Sequence, residues 1–318
     1  MEGIKNINIE VRSTYPVISA YEFEFLKELP EIKDLWKEST IYFIVQRPLI
    51  YFNNLHIDKG IIRFEISDMN GNPPLIGSLN PYSTGFACEG ESFLFTANLY
   101  SGNAEGKKSF DYVSSFAIET DTREHLAWIT PQKLIHLAVL KSKGYTLSGN
   151  IKDYIDYKVH YIGQAFNQDV WSRLTGHEKM QSILTREALF DETVNRNSFE
   201  IALILMEITG FSETQMLPFQ EWMLKENVEP IVHEVPDNSF MNFYSPFITL
   251  DDKSLTNEVE ALLVSSFQPE YNKIKFKQYP KISNGTRSKG YTESSLQIEY
   301  NPVTFKTDVH EIEPIFMI

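Results

Sequence analysis

Arg173 and His177 stand four residues apart in "WSRLTGHEKM", a little after the strand-like tripeptide "YIG". If Asp169 caps a helix running to about Leu184, then Arg173, His177, Met180 and Leu184 fall on one face of it, with Trp171 and Glu178 pointing elsewhere. An Arg and a His side by side after "YIG" suggest a surface built to hold a phosphate. A partly exposed Arg and His on an ordinary surface helix accounts for the same pair without chemistry. Farther on, "NEVEALLVSSFQPEYN" places Glu260 in phase with Leu263, Val264 and Phe267, so Glu260 is expected on the core-facing stripe and Glu258 outward with Ser265. A carboxylate on an apolar stripe is costly unless it is paired or holds a cation. The plain alternative makes Asn257 the N-cap of that helix and Glu260 its N3 partner in a capping-box arrangement. Asn272 follows where a basic segment begins.

Elements must position these groups, and the chain offers them in two halves. Residues 1–143 read as a mixed α/β unit rich in strands. "YEFEFLKELPEIKDLW" has helical character that Pro30 must kink or split. "STIYFIVQRPLIYF" and "GIIRFEISDMNGN" read as strands, the second closing on the turn dipeptide Asn70-Gly71. "ESFLFTANLYSGN" and "SFDYVSSFAIET" make two more. "TPQKLIHLAVLKSKG" is punctuated as a helix by Thr130 at the N-cap, Pro131 in the first turn and Gly144 past the end. A boundary is expected there, with the second unit over 144–318. His125 and His136 stand alone and read as structural. In the second half, "SFEIALILMEITGF" is apolar enough for burial.

Charge and composition narrow the classes. With 318 residues, 42% of them apolar, packed cores are within reach. No apolar run is long enough to span a membrane, the N-terminus lacks the pattern of a signal peptide, and the single cysteine, Cys88, excludes internal disulfides and cysteine-rich zinc sites. A cytoplasmic protein is expected. The net charge of −14 argues against coating nucleic acid by bulk attraction. That charge is uneven: residues 144–270 carry 8 basic and 20 acidic side chains, whereas "YNKIKFKQYPKISNGTRSKG" carries six basic and none acidic. Lys273, Lys275 and Lys277 alternate, so on a strand they would share one face and could track a phosphate backbone; lysines guarding an exposed strand edge would look the same.

Taken in order, "VHYIGQA", "RLTGH" and "EALLVSSFQPEYN" resemble the motifs of the GIY-YIG nuclease superfamily, over roughly 144–290. The resemblance implies a small antiparallel sheet flanked by helices, interrupted here by an acidic insertion at about 186–256 and followed by a C-terminal strand tail, within an α/β (α+β) chain. It further implies a metal-dependent endonuclease. Glu260 would hold one divalent ion, Mg²⁺ or Mn²⁺, Arg173 would stabilise charge on the phosphate, and His177 would assist in proton transfer or hold the phosphate. Tyr161 or a tyrosine of the first strand would accept the water's proton. Gly163 would let the strand end turn towards the helix, and Asn272 would fix the end of the glutamate helix and the chain after it.

The family's "GIY" tripeptide is missing ahead of "YIG". Tyr145, Tyr154 and Tyr157 are the candidates for the first-strand tyrosine, and Tyr145 is favoured because "SGNIKD" after it supplies turn residues for a hairpin returning through "YKVHYIG". DNA is the expected substrate and a restriction, defence or mobile-element setting the family-level analogy. The acidic insertion or the N-terminal unit would dock a protein partner, and cutting both strands with one site per chain favours a dimer. The rival expectation keeps the fold and loses the chemistry: a degenerate domain that binds nucleic acid or protein.

Overall fold

The computed structural model describes residues 4–14, 17–19, 22–23, 26, 29–100, 108–165, 174, 183, 199–216, 252–299 and 302–314. Among them the chain is α+β, strand-rich and with few helices. The first strands are β1 (Ile4–Ser13), β2 (Ile18–Ser19), β3 (Ile41–Pro48), β4 (Ile50–Asp58), β5 (Ile61–Asp68), β6 (Leu75–Leu79) and β7 (Phe93–Leu99). Then come β8 (Val113–Thr120), β9 (His125–Ile129), β10 (Tyr145–Ser148), β11 (Asp156–Gln164), β12 (Phe199–Met216), β13 (Glu293–Ile298), β14 (Thr304–Lys306) and β15 (Glu311–Ile312). The helices with described bounds are α1 (Pro30–Trp36), α2 (Pro81–Thr84), α3 (Pro131–Val139) and α4 (Asp252–Phe267).

Two sheets result. The first runs β13-β1-β12-β3-β11-β14-β15, with β2 on β12; the second runs β10-β6-β5-β4-β8-β7, with β9 on β8. The expected boundary at 143/144 does not separate them. It falls between α3 and β10, while β1 to β3 share the first sheet with β11 to β15. Long-range pairing decides this, and local pattern does not register it. "STIYFIVQRPLIYF", expected as one strand, breaks at Pro48: β3 belongs to the first sheet and β4 opens the second. Proline has no N–H for a ladder, which suits it to a strand end. The second sheet is therefore an insertion between β3 and β11. The apolar "SFEIALILMEITGF" enters the 18-residue β12, which lies between β1 and β3 in the first sheet although it falls within the acidic segment.

Local punctuation holds elsewhere. Pro30 starts α1, whose N-cap is Leu29. Thr130 Oγ1 accepts from Lys133 N to cap α3, which ends at Val139, ahead of Gly144. A helix as short as α3 gains its stability from packing, and Leu134 and Ile135 are buried against the second sheet.

The first sheet is covered on both faces. On one, Phe43, Val45, Val159, Ile162 and Ile204 pack beneath Leu255, Val259, Leu263, Val264 and Phe267 of α4. On the other, Tyr42, Ile44 and Leu203 pack with Trp36, Leu174 and Ile183. Alternation along β3 and β11 sorts their side chains between the two layers. No helix among the described residues is long and apolar enough to cross a membrane.

Candidate functional site

Strand β11 carries the "YIG" residues, and its antiparallel partner is β3, not β10. The register sets Tyr42 opposite Gly163 and Ile41 opposite Gln164. Tyr145 sits in β10 of the second sheet, opposite Leu79, where burial raises its pKa; the hairpin expected from "SGNIKD" does not form. Tyr154 is buried with its hydroxyl donating to Pro73 O at 3.1 Å. Tyr157 is buried beneath the Arg47 guanidinium, and burial pushes its phenol up to about 12. The tyrosine opposite "YIG" on the neighbouring strand is Tyr42, missed because more than a hundred residues intervene. "IYF" in "STIYFIV" was the available signal.

The Tyr42 and Tyr161 rings lie 5.9 Å apart. Tyr42 is fully buried, whereas Tyr161 keeps part of its surface in solvent. Gly163 serves this pair. A Cβ there would come within 2.6 Å of Tyr42 Cζ and Oη and 2.7 Å of Tyr161 Cε1. It is a strand residue, so its part is close ring packing, in place of the tight turn expected of it.

Among the described residues, β14 pairs with β11 at Asp156, Tyr157 and Lys158, and no strand pairs with that edge beyond Lys158. The chain leaving α4 takes that edge. Tyr271 N donates to His160 O at 3.1 Å. The Asn272 amide then meets both backbone groups of Ile162, accepting from N at 3.0 Å and donating to O at 2.7 Å. Asn272 is 7% exposed, so these bonds are made away from water. It ties the end of the helix to the strand under the site.

Helix α4 starts at Asp252, which places Asn257 inside it and removes the capping-box account. Asn257 Oδ1 accepts from Gln164 Nε2 at 3.1 Å, and Glu260 Oε2 accepts from the same nitrogen at 2.8 Å. Glu260 is partly buried. Glu258, expected outward, is the fully buried carboxylate: it accepts from Tyr279 Oη and from Thr286 N, each at 2.9 Å. The loop after α4 folds back over that side of the helix, so Glu258 and the apolar stripe are both covered. Gly285 is required beneath it, since a Cβ would fall 2.6 Å from Glu258 Oε2.

That loop, 271–290, forms turns and a short 3-10 helix with no strand, so Lys273, Lys275 and Lys277 do not share a strand face. Lys275 Nζ donates to the Gln268 carbonyl at 3.2 Å and also to that of Pro269, at the C-terminal end of α4 where a cation is favoured. Lys273 and Lys277 are exposed. Arg173 and His177 lie outside the described residues.

Gathered at the shared end of β3 and β11 are thus Tyr42, Tyr161 and Gly163 on one face, and Gln164 with Asn257 and Glu260 on the other. A cleft of about 700 Å³ is lined by residues of β1, β12 and the start of α4, among them Arg12, Glu207, Leu255 and Thr256, and by none of these six. No group of three or more His, Cys, Asp or Glu gathers among the described residues to hold a metal. One carboxylate with amide oxygens around it fits a hard ion that keeps several waters, the habit of Mg²⁺. No family model, curated protein or solved structure matches the chain.

Proposed function

We propose that this chain is a divergent GIY-YIG-type, metal-dependent endonuclease acting on DNA, its site at the shared end of β3 and β11. The observation that carries this reading is the register of Tyr42 opposite Gly163, with Tyr161 packed on both. It supplies an aromatic first-strand partner for "YIG" in a chain whose sequence interrupts the pair with a whole sheet. Glu260 bonds to Gln164, the next residue, from the α4 face of the sheet, opposite the face that carries Tyr42 and Tyr161.

In this reading each group has one task. Tyr161, the partly exposed tyrosine, would act as a phenolate, its own proton having gone to solvent, and take the proton of the attacking water, while Tyr42 holds its ring in place. Arg173 would meet the phosphate oxygens, where its fork stabilises growing charge. His177, four residues on in sequence, would hand a proton to the leaving oxygen or hold the phosphate. Glu260 holds the ion, which when bound supplies Lewis-acid and charge-neutralising chemistry. Asn272 keeps β11 in place, and Lys273 and Lys277 of the loop offer positive charge to the flanking backbone. A restriction, defence or mobile-element role and a dimeric enzyme follow by analogy with the superfamily.

Complete burial of Tyr42 favours a second reading, a domain that binds nucleic acid without cutting it. Incubating supercoiled plasmid with Mg²⁺ or Mn²⁺ separates the two. The nuclease predicts metal-dependent nicking that Glu260→Ala and Arg173→Ala each abolish while the fold persists. No cutting by any form, with DNA still retained in a gel shift, assigns the binding module; cutting that survives Glu260→Ala refutes the site.

A further inference from the structure

We propose that Gln164 is a positioning residue for Glu260, setting the orientation of the carboxylate that receives the metal; this rests on the nuclease reading above. Gln164 closes β11, directly after the glycine that Tyr42 pins from behind. Asn257 and Glu260 are one helical turn apart on α4 and present their side chains to it together. The single nitrogen Nε2 bonds to Asn257 Oδ1 at 3.1 Å and to Glu260 Oε2 at 2.8 Å. An amide nitrogen carries two hydrogens, and an ionised carboxylate only accepts. Both hydrogens are therefore committed and the amide cannot flip. Asn257 holds the amide, and the amide holds Oε2.

A glutamate has three side-chain torsions, and a partly exposed one samples many of their combinations. Fastening Oε2 to the end of a sheet strand removes that freedom and fixes the plane in which the other oxygen lies. Holding α4 on the sheet does not call for this contact. The two bonds from Asn272 to Ile162 and the buried Val259, Leu263, Val264 and Phe267 already do so. What Gln164 adds is direction at one carboxylate. Hydrogen bonds of this kind to metal ligands change affinity by about 10- to 100-fold when removed.

The test is Mn²⁺ binding to the full-length protein, followed by electron paramagnetic resonance, for the native chain, Gln164→Leu and Glu260→Gln. Leucine fills similar space and donates nothing. The expected result is Mn²⁺ binding weakened about tenfold or more in Gln164→Leu, with the melting temperature close to native. The Mg²⁺ concentration for half-maximal cleavage rises in step, while the rate at saturating Mg²⁺ returns to within a few-fold of native. A purely structural contact would not give that split. Asn257→Ala, which leaves the Glu260 bond intact, shows a smaller loss. If Gln164→Leu unfolds the chain, Gln164→Met takes its place. Native-like Mn²⁺ affinity in the Gln164 variant, alongside loss in Glu260→Gln, overturns the proposal and leaves the nuclease reading standing. A native protein that binds no Mn²⁺ overturns both.

Discussion

Gly163 is the residue on which the pairing of Tyr42 with Tyr161 depends. Both rings occupy the space that a Cβ would take. Gly163→Ala should therefore destabilise the chain by about 1–3 kcal/mol, the usual range for overpacking, because Tyr42 is buried and has nowhere to move. Urea denaturation checks it; an alanine variant of native stability would mean that the rings yield. A second residue-scale prediction concerns a buried network away from the site. Arg47 on β3 bonds to Glu200 of β12 and to Gln132 of α3, and Gln132 Nε2 donates to Glu22 at 2.7 Å. Burial is the largest influence on Glu22 and raises its pKa, with Glu200 adding to the rise and Ser19 and Gln132 opposing it. A raised carboxyl contributes stability below its unfolded value, near 4.5, and loses it as pH climbs through the folded value. Glu22→Gln should accordingly raise the melting temperature by a few degrees at pH 8, with the gain fading as pH falls towards 4. A gain independent of pH would show that Glu22 is not the titrating group.

At the scale of elements, Asn272 acts as a one-residue strand. Removing its amide leaves the N–H and C=O of Ile162 without these partners beside a buried side chain, at about 1–3 kcal/mol for each group. Asn272→Ala should cost about 2–4 kcal/mol by denaturant unfolding. Asn272→Asp should do no better, since a carboxylate oxygen would then face the Ile162 carbonyl. An Asp variant as stable as native would contradict the two-way bonding. The elements also mark what could be read from residues alone. Thr130 with Pro131 announced α3, Asn70-Gly71 announced the turn after β5, and "YIG" ends a strand as expected. Helix phase placed Glu260 by its apolar neighbours, yet both faces of α4 are covered, and Glu258 proved the more buried. Periodicity reports where apolar residues cluster; it does not report that a loop will fold over the opposite face. The lysine alternation failed for a related reason, since Lys275 donates to the Gln268 and Pro269 carbonyls just past α4, in a loop bounded by turns. Arg173 and His177, the pair that first suggested a phosphate, lie outside the described residues.

For the whole molecule, the decisive fact is that β3 and β11 are neighbours while a complete second sheet lies between them in sequence. No local signal in "STIYFIV" identifies its partner, and a boundary drawn at Gly144 follows the helix punctuation faithfully while missing the pairing. The chain departs at Pro48 and returns at Asp156, at the end of the strand pair remote from Gly163. The acidic excess over 144–270 includes β12 and α4 themselves, which packing holds within the first sheet's layers.

On the proposed nuclease reading, the shared end of β3 and β11 cuts phosphodiester bonds. Single-turnover cleavage of duplex DNA at saturating Mg²⁺, comparing the native chain with Tyr161→Phe and Tyr145→Phe, tests it most directly. Tyr161→Phe should slow cleavage by about 100-fold or more, the usual yield of a general base, without changing the Mg²⁺ requirement. Tyr145→Phe, in the other sheet, should cut at the native rate. Cleavage that survives Tyr161→Phe, or that fails with Tyr145→Phe alone, would contradict the account.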